Sequence, residues 1–207
     1  MKGYLFILLL MVAGQNYAGE WFLDTINGCK VWNKAPQPNE TMKWTGACLN
    51  GFADGKGELS WLYDGKISIY KGSMKNGELD GIGVYTGANG FYKEGFFIKG
   101  NLIKECSKTE CDPDYLYKDF DAETKVDIVM SKIINSIKNN ENIDALIYMN
   151  YLQTLNVKLP EAFYPQYIKV LDANKDTDEV KNVAKKYIQK YGKTGKFYGE
   201  MIEALSR

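Results

Sequence analysis

The 207-residue sequence contains no histidine, and its only arginine is the C-terminal residue. The lack of histidine excludes Ser-His-Asp and Cys-His catalytic arrangements, imidazole zinc sites and the usual general base at pH 7. The lack of arginine removes bidentate guanidinium contacts to phosphate or carboxylate groups. Basic and acidic residues both number 26, so no net charge attracts a polyanion. We therefore expect no nucleic-acid partner.

Long apolar segments are also missing, because the longest run without a polar residue is 5–13. Lys2 precedes this run and small residues follow it, a pattern typical of a secretory signal peptide at 1–18, cleaved between Ala18 and Gly19. Nine residues are too few for a membrane span, which needs ~20. Retention of the segment as an N-terminal anchor is the alternative. We expect a periplasmic or secreted protein with no stable transmembrane segment after signal removal.

Cysteine is scarce: the chain contains only Cys29, Cys48, Cys106 and Cys111. An even number in an oxidising compartment indicates two disulfides, for which three connectivities exist. Proximity in sequence favours Cys29–Cys48 and Cys106–Cys111. A zinc site is the alternative, but the spacing does not match the usual CxxC pairs. We expect no metal and no cofactor.

Glycine divides the chain, since 13 of the 20 glycines lie in 46–100 and none lies in 101–191. We predict a β-rich domain at 19–105, a connector at 106–121 and a helical domain at 122–207. The predicted fold class is α+β, with an antiparallel β-hairpin repeat sheet followed by a helical hairpin array.

Glycines of the first half recur at offsets +2, +7, +11 and +13 from an aromatic residue. The two matching units are Trp44 with Gly46, Gly51, Gly55 and Gly57, and Tyr70 with Gly72, Gly77, Gly81 and Gly83. A weaker third unit begins at Tyr92. Asn-Gly or Asp-Gly pairs at 50–51, 64–65, 76–77, 80–81 and 89–90 predict turns. Such repeats indicate β-hairpins that add to one elongated sheet.

These two units resemble MORN repeats (membrane occupation and recognition nexus), whose pattern is aromatic-x-Gly-x4-Gly-x3-Gly-x-Gly. The resemblance covers about 44–104 and implies a β-hairpin sheet used for interaction and assembly rather than catalysis. Lipid binding is attributed to some members, but the mixed charges of these repeats and their lack of arginine give lipid contact little support. Residues 28–32 would add an edge strand, tied to the first repeat by the disulfide between Cys29 and Cys48.

The second half changes to a helical period of apolar residues. Helices are predicted at 122–138, 143–155, from Leu159-Pro160-Glu161 onward, at 176–191 and at 196–205. Pro165 lies within the third of these, so that helix should begin late or kink. Segments 151–163 and 187–198 resemble tetratricopeptide-like tails of bacterial extracytoplasmic proteins, with an "LPE-F" helix start and a "YG-x-x-G-x-(F/Y)-Y" end. This resemblance implies a bacterial source.

Paired carboxylates are the remaining catalytic chemistry that a chain without histidine supports. Asp54, Glu58, Glu78 and Asp80 are the candidates, but Asp54 and Asp80 each precede a repeat glycine, which favours a role in turns. The spacing of oxygen ligands at 172–178 lacks the glycine and the glutamate of an EF-hand loop. No catalytic residue is therefore assigned.

Ten aromatic residues fall on the predicted sheet, too many for a thin sheet to bury on both faces. They are Trp44, Phe52, Trp61, Tyr63, Tyr70, Tyr85, Phe91, Tyr92, Phe96 and Phe97. One face should pack internally or against the helices, and the other should offer rings to a partner. The sequence predicts a non-catalytic scaffold that binds an envelope or secreted protein. The alternatives are a carbohydrate- or lipid-binding module that uses the aromatic face, and a carboxylate-based hydrolase.

Overall fold

The computed structural model describes residues 19–155 and 157–207, so the predicted signal peptide at 1–18 lies outside the described residues. Within the described part, the strands are β1 Glu20–Leu23, β2 Lys30–Asn33, β3 Thr41–Trp44, β4 Ala47–Leu49, β5 Phe52–Tyr63, β6 Lys66–Lys75, β7 Glu78–Thr86, β8 Tyr92–Ile98 and β9 Asn101–Glu105. The helices are α1 Lys108–Cys111, α2 Pro113–Leu116, α3 Ala122–Lys138, α4 Asn142–Thr154, α5 Phe163–Ala173, α6 Thr177–Tyr191 and α7 Tyr198–Leu205. The predicted α+β class is confirmed.

Strands β5 to β9 form an antiparallel meander in chain order, as the repeat pattern predicts. Three of the predicted turn pairs, 50–51, 64–65 and 76–77, have positive φ at both residues, the conformation of a type I′ hairpin turn. Lys99 and Gly100 make a fourth such turn, between β8 and β9. The hairpin register is therefore set by turn residues that tolerate left-handed backbone.

One predicted turn is wrong, because Asp80 and Gly81 lie inside β7 rather than between strands. Asp54 and Gly55 lie inside β5 in the same way. Both glycines have positive φ, 75° at Gly55 and 105° at Gly81. Their freedom bends a strand locally, and the register between β6 and β7 shifts near the same level. Neither aspartate lies in a turn of its own, but each carboxylate accepts a backbone hydrogen bond from the turn of the next hairpin, Asp54 from the Asn76 N–H at 3.3 Å and Asp80 from the Lys99 backbone.

The N-terminal edge of the sheet is more elaborate than the single extra strand that the sequence predicts. β2 pairs antiparallel with β1 and touches β5 through one parallel pair, while β3 and β4 both pair with β5. The structure joins Cys29 to Cys48 and Cys106 to Cys111, the connectivity that the sequence favours. The first bond ties the edge before β2 to β4.

The helices follow the predicted boundaries closely. α3 spans the predicted 122–138, and α6 is capped by the Asp176 side chain, which accepts a hydrogen bond from the Glu179 N–H. α5 begins at Phe163, so Pro165 lies in its first turn, where a missing N–H costs nothing. None of the helices in the described part of the chain is long and apolar enough to cross a membrane.

The sheet and the helices share a hydrophobic core. Phe96 of β8 is buried among the helical residues, and Ile82 and Ile98 pack against the same cluster. A second cluster on the opposite face contains Trp44 and Tyr70. Residues 106–121 form α1 and α2 and bury Cys111 and Pro113. The helices therefore lie against one face of the repeat sheet, and a cleft remains between the sheet and the helices.

Candidate binding cleft between the sheet and the helices

The eight repeat glycines divide into two kinds with different physical roles. Those at offsets +7 and +11, namely Gly51, Gly55, Gly77 and Gly81, have positive φ. Those at +2 and +13, namely Gly46, Gly57, Gly72 and Gly83, lie under an aromatic ring. A Cβ at Gly57 would lie 2.5 Å from the Trp44 ring, and one at Gly83 would lie 2.3 Å from the Tyr70 hydroxyl. In each repeat, two glycines therefore adopt left-handed backbone, and the other two leave room for one aromatic ring.

Trp44 and Tyr70 hold equivalent positions in the two repeats. Both are fully buried. The Trp44 Nε1–H donates to the Ala47 carbonyl at 2.8 Å, and the Tyr70 hydroxyl donates to the Ser73 carbonyl at 3.0 Å, three residues onward in each case. Gly57, Gly72, Gly83 and Gly95 lie opposite one another across four strands. This row of glycines leaves the space that the rings fill.

The third unit departs from this arrangement. Tyr92 is 56% exposed, so its ring does not lie over the glycine row. Phe97 is buried instead and meets the Tyr70 ring edge-on, with centroids 5.3 Å apart. The repeat pattern therefore ends at β8, where the sheet continues without a third buried repeat ring.

The aromatic residues sort onto both faces, as the sequence suggests in outline. Four of the ten are buried: Trp44, Tyr70, Phe96 and Phe97. Three are clearly exposed: Tyr63, Phe91 and Tyr92. Tyr85 links Trp61 and Phe91 through edge-on contacts with centroids 5.8 and 6.2 Å apart. This aromatic cluster lies at the end of the sheet face that carries Trp44 and Tyr70.

A cleft of about 810 Å³ lies between β5–β7 and the helices α2, α4 and α6. Its apolar lining includes Met74, Ile82, Phe96 and Ile147. Charged side chains surround this lining: Asp54, Lys56, Lys75, Asp80, Asp112, Asp114, Glu179, Lys185 and Lys186. A volume of this size accommodates a small ligand or several residues of an extended peptide.

Lys75 and Glu179 join the sheet to α6 at one end of the cleft. The Lys75 ammonium lies 2.8 Å from Glu179 Oε2, and the Glu179 side chain is only 8% exposed. Nearby, Lys99 of the β8–β9 turn lies 2.8 Å from Asp176 at the start of α6. Because Glu179 is buried, this pair is shielded from solvent more than an ordinary surface ion pair.

Asp80 lies at the same end of the cleft. The pKa of its carboxyl group is raised from 3.8 to about 6, mainly by burial and also by the charges of Glu179 and Asp176, against the opposing effects of Lys75 and the Lys99 backbone. The group therefore changes charge near neutral pH, which is unusual for an aspartate. A titrating carboxyl on the wall of a cleft marks a functional-site candidate.

The other end of the cleft is formed by the predicted connector. Lys56 of β5 lies 2.8 Å from Asp114, and that ammonium group holds the pKa of Asp114 below its usual value. Asp112 caps α2 by accepting a hydrogen bond from the Asp114 N–H. Tyr151 of α4 is buried here, and its hydroxyl has no hydrogen-bond partner among the described residues.

The four carboxylates singled out in the sequence have different environments. Asp54 and Asp80 line the cleft. Glu58 is paired across the sheet with Lys71, with Oε2 and Nζ 3.0 Å apart. Glu78 begins β7 and is not among the residues that line the cleft. The structure therefore does not bring the four together.

Glu179, Lys75 and Tyr151 are the cleft residues that sequence reasoning missed. Each occupies an ordinary position in a helix or strand pattern, so no local signal distinguishes it. In the described residues, no three histidine, cysteine or acidic side chains converge as a metal site would require.

Comparison with known proteins matches one part of the chain. Residues 70–92, the second repeat, match the family model of the MORN repeat. Comparisons with the curated proteins and with the solved structures found no match. MORN repeats generally occur in modules that bind other proteins or membranes. The geometry of the first repeat, with Trp44 over its glycines, is equivalent to that of the matched one. The chain therefore contains a MORN repeat within a mostly antiparallel sheet, and a helical array covers one face of that sheet.

Proposed function

We propose that this chain is a non-catalytic, extracytoplasmic binding module that holds a segment of a partner protein in the cleft between its sheet and its helices. The observation that carries the proposal is the cleft itself, in which an apolar floor is surrounded by charged and amide side chains from both halves of the chain. Such a lining suits a polypeptide, which presents apolar and polar groups in alternation.

The proposed location outside the cytoplasm has two kinds of support. Two disulfides account for all four cysteines, and such bonds persist in oxidising compartments. The pattern at 1–18 is typical of a signal peptide. The bacterial envelope is the compartment that the resemblance of the helical half implies.

Site-directed photo-crosslinking tests the proposal. A photoreactive amino acid at Lys186, an exposed cleft residue on α6, should capture a defined protein in extracts of the source cell envelope. The same amino acid at Lys132, an exposed lysine of α3 that does not line the cleft, is the matched control. Equal cross-linking from both positions, or none from Lys186, would contradict a partner held in the cleft.

A second candidate function is favoured by the aromatic cluster at the end of the sheet. A cavity of about 640 Å³ lies beside Tyr85 and Phe91 and is also lined by Lys66 and Asn89. Rings next to amide and ammonium groups are the usual means of binding a sugar ring or a lipid headgroup. Envelope carbohydrate or lipid is the corresponding ligand class.

Sedimentation with peptidoglycan or with lipid vesicles separates this candidate from the first. Phe91→Ala should release the protein if the aromatic cluster binds the pellet. Phe120→Ala is the matched control, because the two rings are 49% and 47% exposed. A wild-type protein that remains in the supernatant would exclude this second function. A carboxylate hydrolase would instead degrade the substrate in the pellet, and Asp80→Asn would abolish that activity.

A further inference from the structure

Only one of the two carboxylate oxygens of Glu179 has a partner among the described residues. Oε2 lies 2.8 Å from the Lys75 ammonium and accepts a hydrogen bond from the Asn182 amide at 3.3 Å. Oε1 is buried and accepts no hydrogen bond from any of the described residues. A buried acceptor without a partner is destabilising, and more so when it is charged. Glu179 therefore retains capacity for a donor at the wall of the cleft.

Asp80 adds a second carboxyl group to the same end of the cleft. The Glu179 charge raises the pKa of Asp80 and the Lys75 charge lowers it, so the three groups act on one another directly. When both carboxyl groups are ionised, one ammonium faces two negative charges. Asp176 adds a further negative charge that acts on Asp80, but it has a cation of its own, because Lys99 is paired with it at 2.8 Å. Among the described side chains at this end of the cleft, one negative charge is left without a paired cation.

The chemistry of the site favours an organic cation over a metal ion. A divalent cation needs several oxygen ligands, whereas among the described residues no cluster of three metal-binding side chains exists. The Lys75 ammonium, already at one oxygen of Glu179, would also repel a divalent charge.

An ammonium group fits this end better than a guanidinium group. A guanidinium fork binds most strongly when both oxygens of one carboxylate are free. One oxygen of Glu179 is already occupied by Lys75, and the Asp80 carboxyl accepts a hydrogen bond from the Lys99 backbone. An ammonium group carries three N–H donors, which reach single oxygens on different carboxylates. The neighbouring Ile82 and Ile147 offer apolar contact to an alkyl chain.

We propose that Asp80 and Glu179 form a subsite for the side-chain ammonium of a lysine residue in the bound partner segment, with the lysine stem over Ile82 and Ile147. The assignment rests on the proposed function, in which a polypeptide occupies the cleft. Tyr151 lies at the opposite end, where no described residue bonds its hydroxyl, and it supplies a hydrogen-bond donor for a main-chain carbonyl of the same segment.

NMR titration of the full mature protein with short peptides tests the subsite. The probe is acetyl-Gly-Lys-Gly-amide, and the control peptide replaces lysine by norleucine, which keeps the stem and removes the charge. At pH 7.5 the lysine peptide should shift the backbone amide signals of Gly81, Glu179 and Asn182, and the norleucine peptide should bind at least tenfold more weakly.

Two aspartate variants test whether the Asp80 charge is responsible for binding the lysine peptide. Asp80→Asn should weaken binding of the lysine peptide at least tenfold, whereas Asp119→Asn, an exposed aspartate that does not line the cleft, should leave it unchanged. Dispersed amide signals in each variant show that it is folded. Equal affinity for the two peptides, or unchanged affinity in Asp80→Asn, would overturn the subsite. Tighter binding of pentylamine than of the lysine peptide would overturn the assignment to lysine.

The lysine subsite and the protein-binding function can fail independently of each other. If the cross-linker at Lys186 captures a partner but the lysine peptide does not bind, the lysine subsite is wrong and the protein-binding function stands. If the lysine peptide binds and no partner is captured, the ammonium subsite stands and the protein-binding function falls.

Discussion

The Tyr187 hydroxyl donates a hydrogen bond to the Glu161 carboxylate and accepts one from the Phe197 N–H at 2.7 Å. The same carboxylate accepts a hydrogen bond from the Lys196 N–H. A Cβ at Gly195 would lie 2.5 Å from the Tyr187 oxygen, so the close approach requires glycine there. The two sequence segments that resemble tetratricopeptide-like tails therefore meet at one tyrosine, which fixes α6 relative to its neighbours. Because α6 carries Glu179, this contact also helps to place the cleft wall.

Removal of this hydroxyl should change the acidity of Glu161. The hydrogen bond from Tyr187 lowers the pKa of Glu161, followed by the backbone of Lys196. Tyr187→Phe should therefore raise that pKa toward its ordinary value, which carboxyl carbon NMR measures directly. Tyr191→Phe is the control, because no hydrogen bond joins the Tyr191 ring to Glu161. An unchanged pKa in Tyr187→Phe would mean that the contact does not form in solution.

A methyl group in the glycine row should destabilise the sheet. In Gly83→Ala the new Cβ would overlap the Tyr70 ring, and overpacking of this kind costs about 1–3 kcal/mol. Gly199→Ala provides a matched control, because Gly199 lies in α7 with open space around it and alanine favours helix by about 1 kcal/mol. Urea unfolding of the two variants should give free-energy changes of opposite sign. If Gly83→Ala left the free energy of unfolding unchanged, Gly83 would not be needed to make room for the Tyr70 ring.

Loss of the disulfide between Cys29 and Cys48 should lower stability more than loss of the other bond. The two bonds join residues 19 and 5 positions apart. In the loop-entropy model they contribute about 3 and about 2 kcal/mol, respectively. Chemical denaturation of the Cys29→Ser/Cys48→Ser and Cys106→Ser/Cys111→Ser double variants measures the difference. Four free thiols in the secreted protein, detected by intact mass with and without reductant, would contradict both bonds.

Asp80 should make the stability of the fold depend on pH between about 4 and 6. Its pKa is raised to about 6 in the folded state, so the folded protein holds this proton more tightly than the unfolded chain. The resulting stabilisation is complete below the unfolded pKa and disappears as the pH rises through 6, by up to about 3 kcal/mol. Asp80→Asn should remove this dependence. Lys75, Asp176, Glu179 and Lys99 remain in both proteins, so the difference isolates Asp80.

Urea unfolding at several pH values in this range, with Asp119→Asn as the control, measures the effect. If the free energy of unfolding changed with pH equally in the wild type and in Asp80→Asn, the Asp80 carboxyl would not be held in a low-dielectric site. The same titration bears on the lysine subsite, since protonation of Asp80 should weaken binding of the lysine peptide as the pH falls below 6.

Local chemistry was sufficient for much of the fold. The pairs at 50–51, 64–65 and 76–77 adopt left-handed backbone at both residues, so these hairpins were predictable from sequence. Helix α6 was predictable because Asp176 caps it and Gly192 ends it, and both signals act within one turn. The prediction failed at Asp80-Gly81, because the pair has turn composition but lies within β7, where the positive φ of Gly81 bends the strand without ending it.

The sequence was enough to define the repeat, the hairpins and the helices, because each depends on contacts between near neighbours in the chain. The position of the helices against the sheet was decided only by tertiary packing, in which Phe96 of β8 enters the helical core. The cleft follows from that packing, since it brings Lys75 and Asp80 of the sheet to Glu179, about 100 residues away along the chain. No pattern within one segment predicts a contact between residues so far apart in the chain, because the burial and the charge of this site arise only when the sheet and the helices pack together.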